Sequence, residues 1–444
     1  MPADSRLYRS IFRLALPILA GQLGNIVVGF ADNIMVGRYS TEALASAAFV
    51  NNVFNVALLC VMGFTYGLTP LIGAMYARGE NDGIGRTLRR GLRINIIFTL
   101  IIMSVMGVLY FYIDRLGQPQ HLLSIIRPYY LIYLAGLLPA SLFNVFAQWS
   151  YAVGNTRLPT YIILSANVLN IIGNYILIYG HFGAPEMGLT GAGISTLIAR
   201  SLCPLAIMAA FFFVKSNRRY HAGFSGRAKA EAPSTGKIIV TSFPVAMQMS
   251  FETAAFSGAA VMAGWIGTVE LAAFQIIVIT GTLGFCVYYS FGAATAVMVS
   301  HRAGLSDRAG MRRVAWAGYR VLLCVMTLSC LTFIFFGRPV MGAFSSDPAV
   351  VSMAAGLLMP LLLYQVADAT QINFANALRG TAHVLPMLYI ALVSYIIVGL
   401  PSTYLLGFTC GLGIYGIVLS FSVSLILAAV LFLFFFLRAT RSPR

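Results

Sequence analysis

The sequence predicts an all-α membrane protein of twelve transmembrane helices, built as two six-helix bundles related by a pseudo-twofold axis. Three observations carry that expectation. Of the 444 residues, 59% are hydrophobic and only 9% charged, apolar runs of spanning length recur along the chain, and the second half echoes the first. A soluble domain carries about a quarter charged residues, and charge is what a bilayer core excludes most strongly. The net charge of +16 is compatible with nucleic acid or an anionic membrane surface. Its placement in short loops between apolar runs favours the membrane, so no nucleic-acid partner is expected.

Runs long enough for a span of about 20 residues lie at 11–36, 44–77, 91–113, 124–152, 158–180, 189–214, 238–262, 271–300, 313–336, 349–378, 384–407 and 412–437. Arg6, Arg9 and Arg13 precede the first run, as in a signal peptide. That run exceeds the roughly 7–15 apolar residues of a signal peptide and reads as a first span. The longest break, 215–237, carries Lys215, Arg218, Arg219, Arg227, Lys229 and Lys237. It divides the chain into an N-terminal bundle 1–214, a cytoplasmic linker 215–237 and a C-terminal bundle 238–444.

Lysines and arginines concentrate on one side: the N-terminus, Arg78 to Arg93, Arg157, the linker, Arg302 to Arg320, Arg379, and Arg438 onward. The opposite side receives Arg38, Arg115, Arg127 and Arg338. By the positive-inside rule the basic side is cytoplasmic, and both termini lie on it.

The halves align at a shift of about 225 residues, with Pro244 over Pro17, Gly264 over Gly37, Thr268 over Thr41 and Leu271 over Leu44. Gly304 and Asp307 of "RAGLSD" fall on Gly79 and Asp82 of "ARGEND", and "LRGTAHVLP" echoes "VGNTRLP". Each half has an even number of spans, so the repeats are parallel, with a cavity expected between them.

Among thirteen acidic residues, three fall inside spans: Asp32, Glu252 and Asp368. Each costs roughly 2.5–3.5 kcal/mol at a helix centre, so each faces a wet cavity or a partner and is a candidate cation or proton site. Arg200, also mid-span, is one available partner for three carboxylates, and a structural role is favoured for it. Asn167, Asn170 and Asn174 share one helical face, as either a hydrogen-bond seam or the wall of a polar cavity. Asn25 takes the repeat position of Glu252. Tyr364, four residues before Asp368, lies on the same face, and a ring beside a carboxylate suits an organic or alkali cation.

The six cysteines lie in or beside apolar stretches without a Cys-x-x-Cys, and the five histidines make no ligand cluster. Neither a disulfide framework nor a resident metal is supported. No protease or hydrolase motif is present, so an enzyme is not expected. No cofactor is expected.

These residues resemble the multidrug and toxic compound extrusion (MATE) family, in its bacterial NorM-type branch. The resemblance runs from "ALPILAGQLGNIVVGFADNIMVG" through "QMSFETAAF" and "LYQVADATQINFANALRGT" to "GLGIYGIVL". It implies two facing six-helix bundles that operate by alternating access in the bacterial inner membrane, as a monomer. The implied activity is export of lipophilic cationic drugs or dyes in exchange for Na+ or H+. By motif, the N-lobe site is Asp32 with Asn170, Asn174 and Thr196, and the C-lobe cation site is Glu252, Tyr364 and Asp368. Asn174 stands where some relatives place a second acid, which tilts the expectation toward the C-lobe carboxylates and Na+. A flippase for lipid-linked sugars, of the same superfamily fold, is the alternative. It calls for several intramembrane arginines, where the sequence offers Arg200.

Overall fold

The computed structural model describes residues 3–227, 231–342, 344 and 347–441; its regular structure is helical, with no strand among the described residues. The N-terminal half runs α1 (Ala3–Tyr39), α2 (Thr41–Tyr66), α3 (Leu68–Ala77), α4 (Asn81–Tyr110), α5 (Leu123–Ala135), α6 (Leu137–Ala152), α7 (Arg157–Tyr179), α8 (Gly188–Phe213) and α9 (His221–Ser225). There follow α10 (Thr235–Ile266), α11 (Thr268–Gly304), α12 (Arg308–Gly342), α13 (Pro348–Gly356), α14 (Leu358–Gly380), α15 (Leu385–Ala391), α16 (Leu400–Tyr404) and α17 (Gly413–Ala439).

Ten helical stretches are long and apolar enough to cross a membrane, and α13 with α14, bent by 50°, make an eleventh. The remaining predicted span, α10, has 32 residues, about 48 Å at 1.5 Å per residue. It is less apolar than the others because Gln248, Ser250, Glu252 and Thr253 interrupt its middle. On α4, Ile97, Ile101, Val105 and Val108 form an outward stripe, each at least 55% exposed. Such a stripe suits lipid and would be an aggregation hazard in water.

Two compact units result: residues 20–246, and residues up to Leu19 together with those from Met247 on. Both boundaries fall inside long helices, two residues beyond Pro17 in α1 and Pro244 in α10. Proline removes a backbone N–H and clashes with the carbonyl four residues earlier, so both helices are weakened at repeat-equivalent positions.

In the unit of residues 20–246, Phe54 and Tyr130 centre an apolar core at 4.6 Å between ring centroids. The Tyr130 hydroxyl donates to the Met106 carbonyl at 2.7 Å, so its burial leaves no orphan donor. Helices α2 and α3 break at Gly67, where the Ser242 backbone approaches so closely that a Cβ would lie 2.5 Å from its Cα. The stretch read as a linker is partly folded; of it, residues 228–230 lie outside the described residues. Its α9 segment lies on α4, with Tyr220 between Trp149 (5.6 Å) and the Arg219 guanidinium (4.9 Å). Arg89 donates to the Ser225 carbonyl at 3.1 Å, and Arg90 to those of Ala232 and Pro233 at 3.1 and 2.8 Å.

The repeat shows in the loops as well. In "ARGEND" the Arg78 guanidinium holds the Glu80 carboxyl below its usual range. In "RAGLSD", Asp307 pairs with Arg302 at 3.2 Å and accepts from the Gly310 N–H at 2.7 Å, starting α12.

In the second unit, Ile11 and Ala15 of α1 join Tyr288, Phe291, Leu322 and Ile372 in one core, and Phe12 meets Phe291 edge-on at 5.3 Å. Between α15 and α17 the chain widens into π-helical turns at Leu392–Gly399 and Leu405–Thr409. Such turns arise where an i→i−4 ladder is disturbed, here around Pro401.

Candidate functional site

Each unit carries its own carboxylate site. In the first, Asp32 projects from α1 toward α7 and α8. Asn174 donates to Asp32 Oδ1. With its amide turned to satisfy both ends, Asn170 donates to the same oxygen at 3.0 Å and accepts from the Thr196 N–H and hydroxyl at 3.2 and 3.1 Å. Ser195 donates to the Asn170 carbonyl at 2.9 Å, and Asn167 donates to Asn25 at 3.4 Å. The asparagine stripe is therefore a helix–helix seam and a carboxylate cradle at once. All four residues expected here, Asp32, Asn170, Asn174 and Thr196, come together. One buried acceptor of the cradle, Asn174 Oδ1, has no partner among the described residues.

Arg200 of α8 donates to the Tyr133 hydroxyl at 3.1 Å and lies 4.5 Å from that ring's centroid. No ion pair among the described residues joins it to Asp32.

In the second unit, Glu252 of α10 accepts from the Gln248 amide, one turn earlier, at 2.7 Å. Asp368 of α14 is 4% exposed and has no hydrogen-bond or ion-pair partner among the described residues. It lies within electrostatic reach of Glu252 and of three tyrosines, Tyr288, Tyr364 and Tyr395. Glu252, Tyr364 and Asp368, read from separate parts of the chain, thus share one neighbourhood.

Glycines on α11 allow this. Gly281 faces the Tyr364 hydroxyl, and a Cβ at Gly284 would lie 2.6 Å from Gln365 Oε1. Gln365 is fully buried, with neither amide atom partnered among the described residues. Gln371 donates to the Tyr395 hydroxyl at 2.8 Å, while Gln371 Oε1, Asn373 Oδ1 and Asn376 Oδ1 stay unpartnered. Each buried orphan costs about 1–3 kcal/mol, so a row of them along one helix is a standing demand for a donor or a cation. The donor set of carboxylate, amide and phenol oxygens fits a hard cation such as Na+.

Beside these groups opens a small cleft of about 30 Å³, its polar wall made by Gln248, Glu252, Gln371, Asn376 and Arg379. Arg379, counted in the sequence among the loop arginines, is 5% exposed and belongs to this wall. The correction has a simple cause. Arg379 is in the last turn of α14, and only the seating of that helix in its unit decides whether its side chain meets water or protein. Gln248, Gln365, Gln371 and Asn376 also went unremarked in the sequence. For the last three the signal was the density of amides in an otherwise apolar "LYQVADATQINFANALRG".

Residues 17–176 and 244–405 each match the MatE family. The two matches start about 227 residues apart, in keeping with the internal repeat. The chain is similar over 100% of its length, and over 99% of the other, to a mutant of the Vibrio cholerae MATE transporter VcmN, at 18% identity and TM-score 0.88. It is similar to the eukaryotic MATE transporter AtDTX14 at 17% identity and TM-score 0.88, over 99% of this chain and 98% of that one. A third structure is a MOP superfamily transporter from Pyrococcus furiosus Vc1, whose binding pocket of reverse polarity suggests a different function. It matches at 18% identity and TM-score 0.86, over 99% of this chain and 98% of that one. Identities this low speak for the fold alone.

Proposed function

Because the chain belongs to the MatE family of membrane transporters, we propose that it is a secondary active antiporter exporting lipophilic organic cations in exchange for Na+ or H+. The observation that carries this reading is the pair of intramembrane carboxylates, Glu252 and Asp368, without an ion-pair partner among the described residues. A site with that unmet negative charge accepts a proton, an inorganic cation or an organic cation, and its limited capacity makes them compete. Competition for one site, with binding biased toward different conformations, is what couples the inward flow of one cation to the outward flow of another. The mechanism is alternating access, as parallel repeats provide for.

Na+ is the favoured coupling ion, held by Glu252 and Asp368 with Tyr364 beside them. Asp32 with Asn170, Asn174 and Thr196 would serve a proton route. The excess of Lys and Arg at one set of loops supports cytoplasmic termini, in a bacterial inner membrane, and the protein is read as a monomer. The Pyrococcus relative of reverse pocket polarity keeps the flippase reading in view. Against that reading, Arg200 is engaged by Tyr133, and the second unit's site is rich in acceptors.

The test is ethidium efflux from proteoliposomes under an imposed Na+ or pH gradient, for wild type and Asp368→Asn. Na+-driven efflux lost in the variant supports the proposal. Efflux driven by pH alone and indifferent to Asp368 moves coupling to Asp32, and no gradient-driven efflux of any lipophilic cation overturns antiport.

A further inference from the structure

Thr196 and Arg200 lie four residues apart on α8 and so share one face of that helix. Thr196 bonds Asn170 and Asn170 bonds Asp32, which puts Arg200 one turn from the end of the carboxylate's own chain of donors. The Tyr133 hydroxyl and ring of α5 hold the guanidinium there. The seat is tight, since a Cβ at Gly136, between α5 and α6, would lie 3.3 Å from the guanidinium. The cavity lined by Tyr133, Gly136, Gly193, Thr196 and Arg200 measures about 10 Å³. That is room for about one water and none for an organic cation. Arg200 therefore acts on transport through its charge, which stays on the guanidinium at any working pH.

Asp32 and Arg200 are within electrostatic reach of each other, although no ion pair joins them among the described residues. Of titratable groups, α8 presents Arg200 to Asp32 and α5 presents Tyr129, while α7 brings the neutral amides of Asn170 and Asn174. The internal repeat isolates the arginine: aligning "CGLGIYGI" with "MGLTGAGI" sets Val423 opposite Arg200. The half with the guanidinium holds one intramembrane carboxylate in a cradle of N–H groups. The half without it holds two, Glu252 and Asp368, served by a single amide among the described residues.

We propose that Arg200 is a positioning residue of the first unit's site, whose fixed charge keeps Na+ away from Asp32 and reserves that carboxylate for protons. This rests on the antiport reading above and deepens its proton route. The guanidinium disfavours any positive charge beside Asp32, but the two candidates do not start level. A proton forms a bond to the carboxylate oxygen and leaves a neutral acid. Na+ keeps its charge and needs several oxygens around it, whereas Asn170 and Asn174 turn N–H groups toward Asp32.

The experiment measures binding of radioactive Na+ to full-length purified protein carrying Glu252→Gln and Asp368→Asn, so that the second unit does not mask the first. The quantity read is the part of the binding that Asp32→Asn abolishes. With Arg200 present that part is expected to be nil. Arg200→Gln and the similarly sized Arg200→Met are each expected to create it, with an affinity gain of about tenfold or more, the equivalent of one pH unit. Arg200→Lys, which keeps a charge, is expected to suppress it again. A gain of binding is an outcome that misfolding does not mimic. Without the other substitutions, Arg200→Gln is expected to move half-maximal pH-driven efflux to higher pH, since a carboxylate relieved of a nearby cation holds its proton longer. Tyr133→Phe removes the hydrogen bond and keeps the charge, and is expected to lower thermal stability with the pH profile in place. Asp32-dependent Na+ binding in the presence of Arg200, its absence from both neutral variants, or an unmoved pH profile in Arg200→Gln overturns the assignment. The expected Na+ binding in a protein that exports no lipophilic cation would sustain the role of Arg200 and sink the antiport reading.

Discussion

Replacing Gly281 with alanine tests the packing that seats Tyr364 beside the carboxylates. A Cβ at this position overlaps the Tyr364 hydroxyl and comes within 2.9 Å of its Cζ, where ordinary contact begins near 3.4 Å. The phenol has nowhere to go, since Tyr364 is 5% exposed and its ring meets Phe421 at 6.1 Å. Helices α11 and α14 must therefore part, or the ring must leave its rotamer. Overpacking of this kind costs about 1–3 kcal/mol, and alanine's better helix propensity returns about 0.5–1 kcal/mol. The net loss is up to ~2.5 kcal/mol, a factor of roughly 70 in the ratio of folded to unfolded protein. Gly107→Ala serves as control, because a Cβ there meets nothing within 4 Å. Thermal inactivation of the purified protein reads stability, and the Na+ dependence of efflux reads the site. Adding Tyr364→Phe removes the overlapping oxygen, so the double variant is expected to recover part of the lost stability, with a coupling energy of the size neighbouring residues show. If Gly281→Ala inactivates no earlier than Gly107→Ala and keeps the wild-type ion dependence, the described contact between α11 and α14 is wrong.

Three further outcomes follow from the geometry. Tyr130→Phe removes the buried donor to the Met106 carbonyl and is expected to cost about 1 kcal/mol of stability, read by thermal inactivation; no change would show that the carbonyl finds another donor. Gly223→Ala drives a Cβ into the Asp82 backbone and is expected to detach the arm that carries α9, so that trypsin cleaves at Arg218, Arg219 or Arg227 markedly faster than in wild type. An unchanged digestion pattern would mean that the arm is held without that close approach. Asn174→Ala takes one amide donor from Asp32 and is expected to alter pH-driven efflux while leaving Na+-driven efflux in place; the reverse pattern would put the coupling carboxylate in the first unit.

The membrane-spanning layout was open to sequence reading because its signals are local. A run of about 20 apolar residues needs no partner to be recognised, and Asp32, Glu252 and Asp368 stand out for their cost in such runs. The asparagine stripe on α7 was visible from helical period alone, although its choice between seam and cavity wall was not; its amides bond across to α1 and α8 as a seam that also cradles Asp32. What stayed hidden depends on tertiary seating. Gly281 and Gly284 look like any glycines in an apolar helix until Tyr364 and Gln365 are brought against them. Arg379 reads as a loop arginine because it ends its helix. The arm after α8 reads as a polar linker, since nothing local reveals that Gly85 and Gly223 let two backbones touch.

The two carboxylate sites differ in a way that bears on which of them exchanges cations. Asp32 receives amide hydrogens from Asn170 and Asn174, and each donated N–H meets part of the electrostatic demand of a carboxylate. Among the described residues Asp368 has no such donor, and Glu252 has one, from Gln248. Two carboxylates within electrostatic reach of each other, served by a single amide, repel unless a cation or a proton lies between them. The orphan oxygens of Gln365, Gln371 and Asn376 add acceptors that only a positive or hydrogen-bearing guest can satisfy. A transporter needs its exchanging site to bind a cation and release it in each cycle. A carboxylate already satisfied by its own protein gains little from that cation, whereas a pair left in deficit gains much. That difference in unmet demand is the reason we propose coupling through Glu252 and Asp368, with Asp32 and its amides left to a proton route.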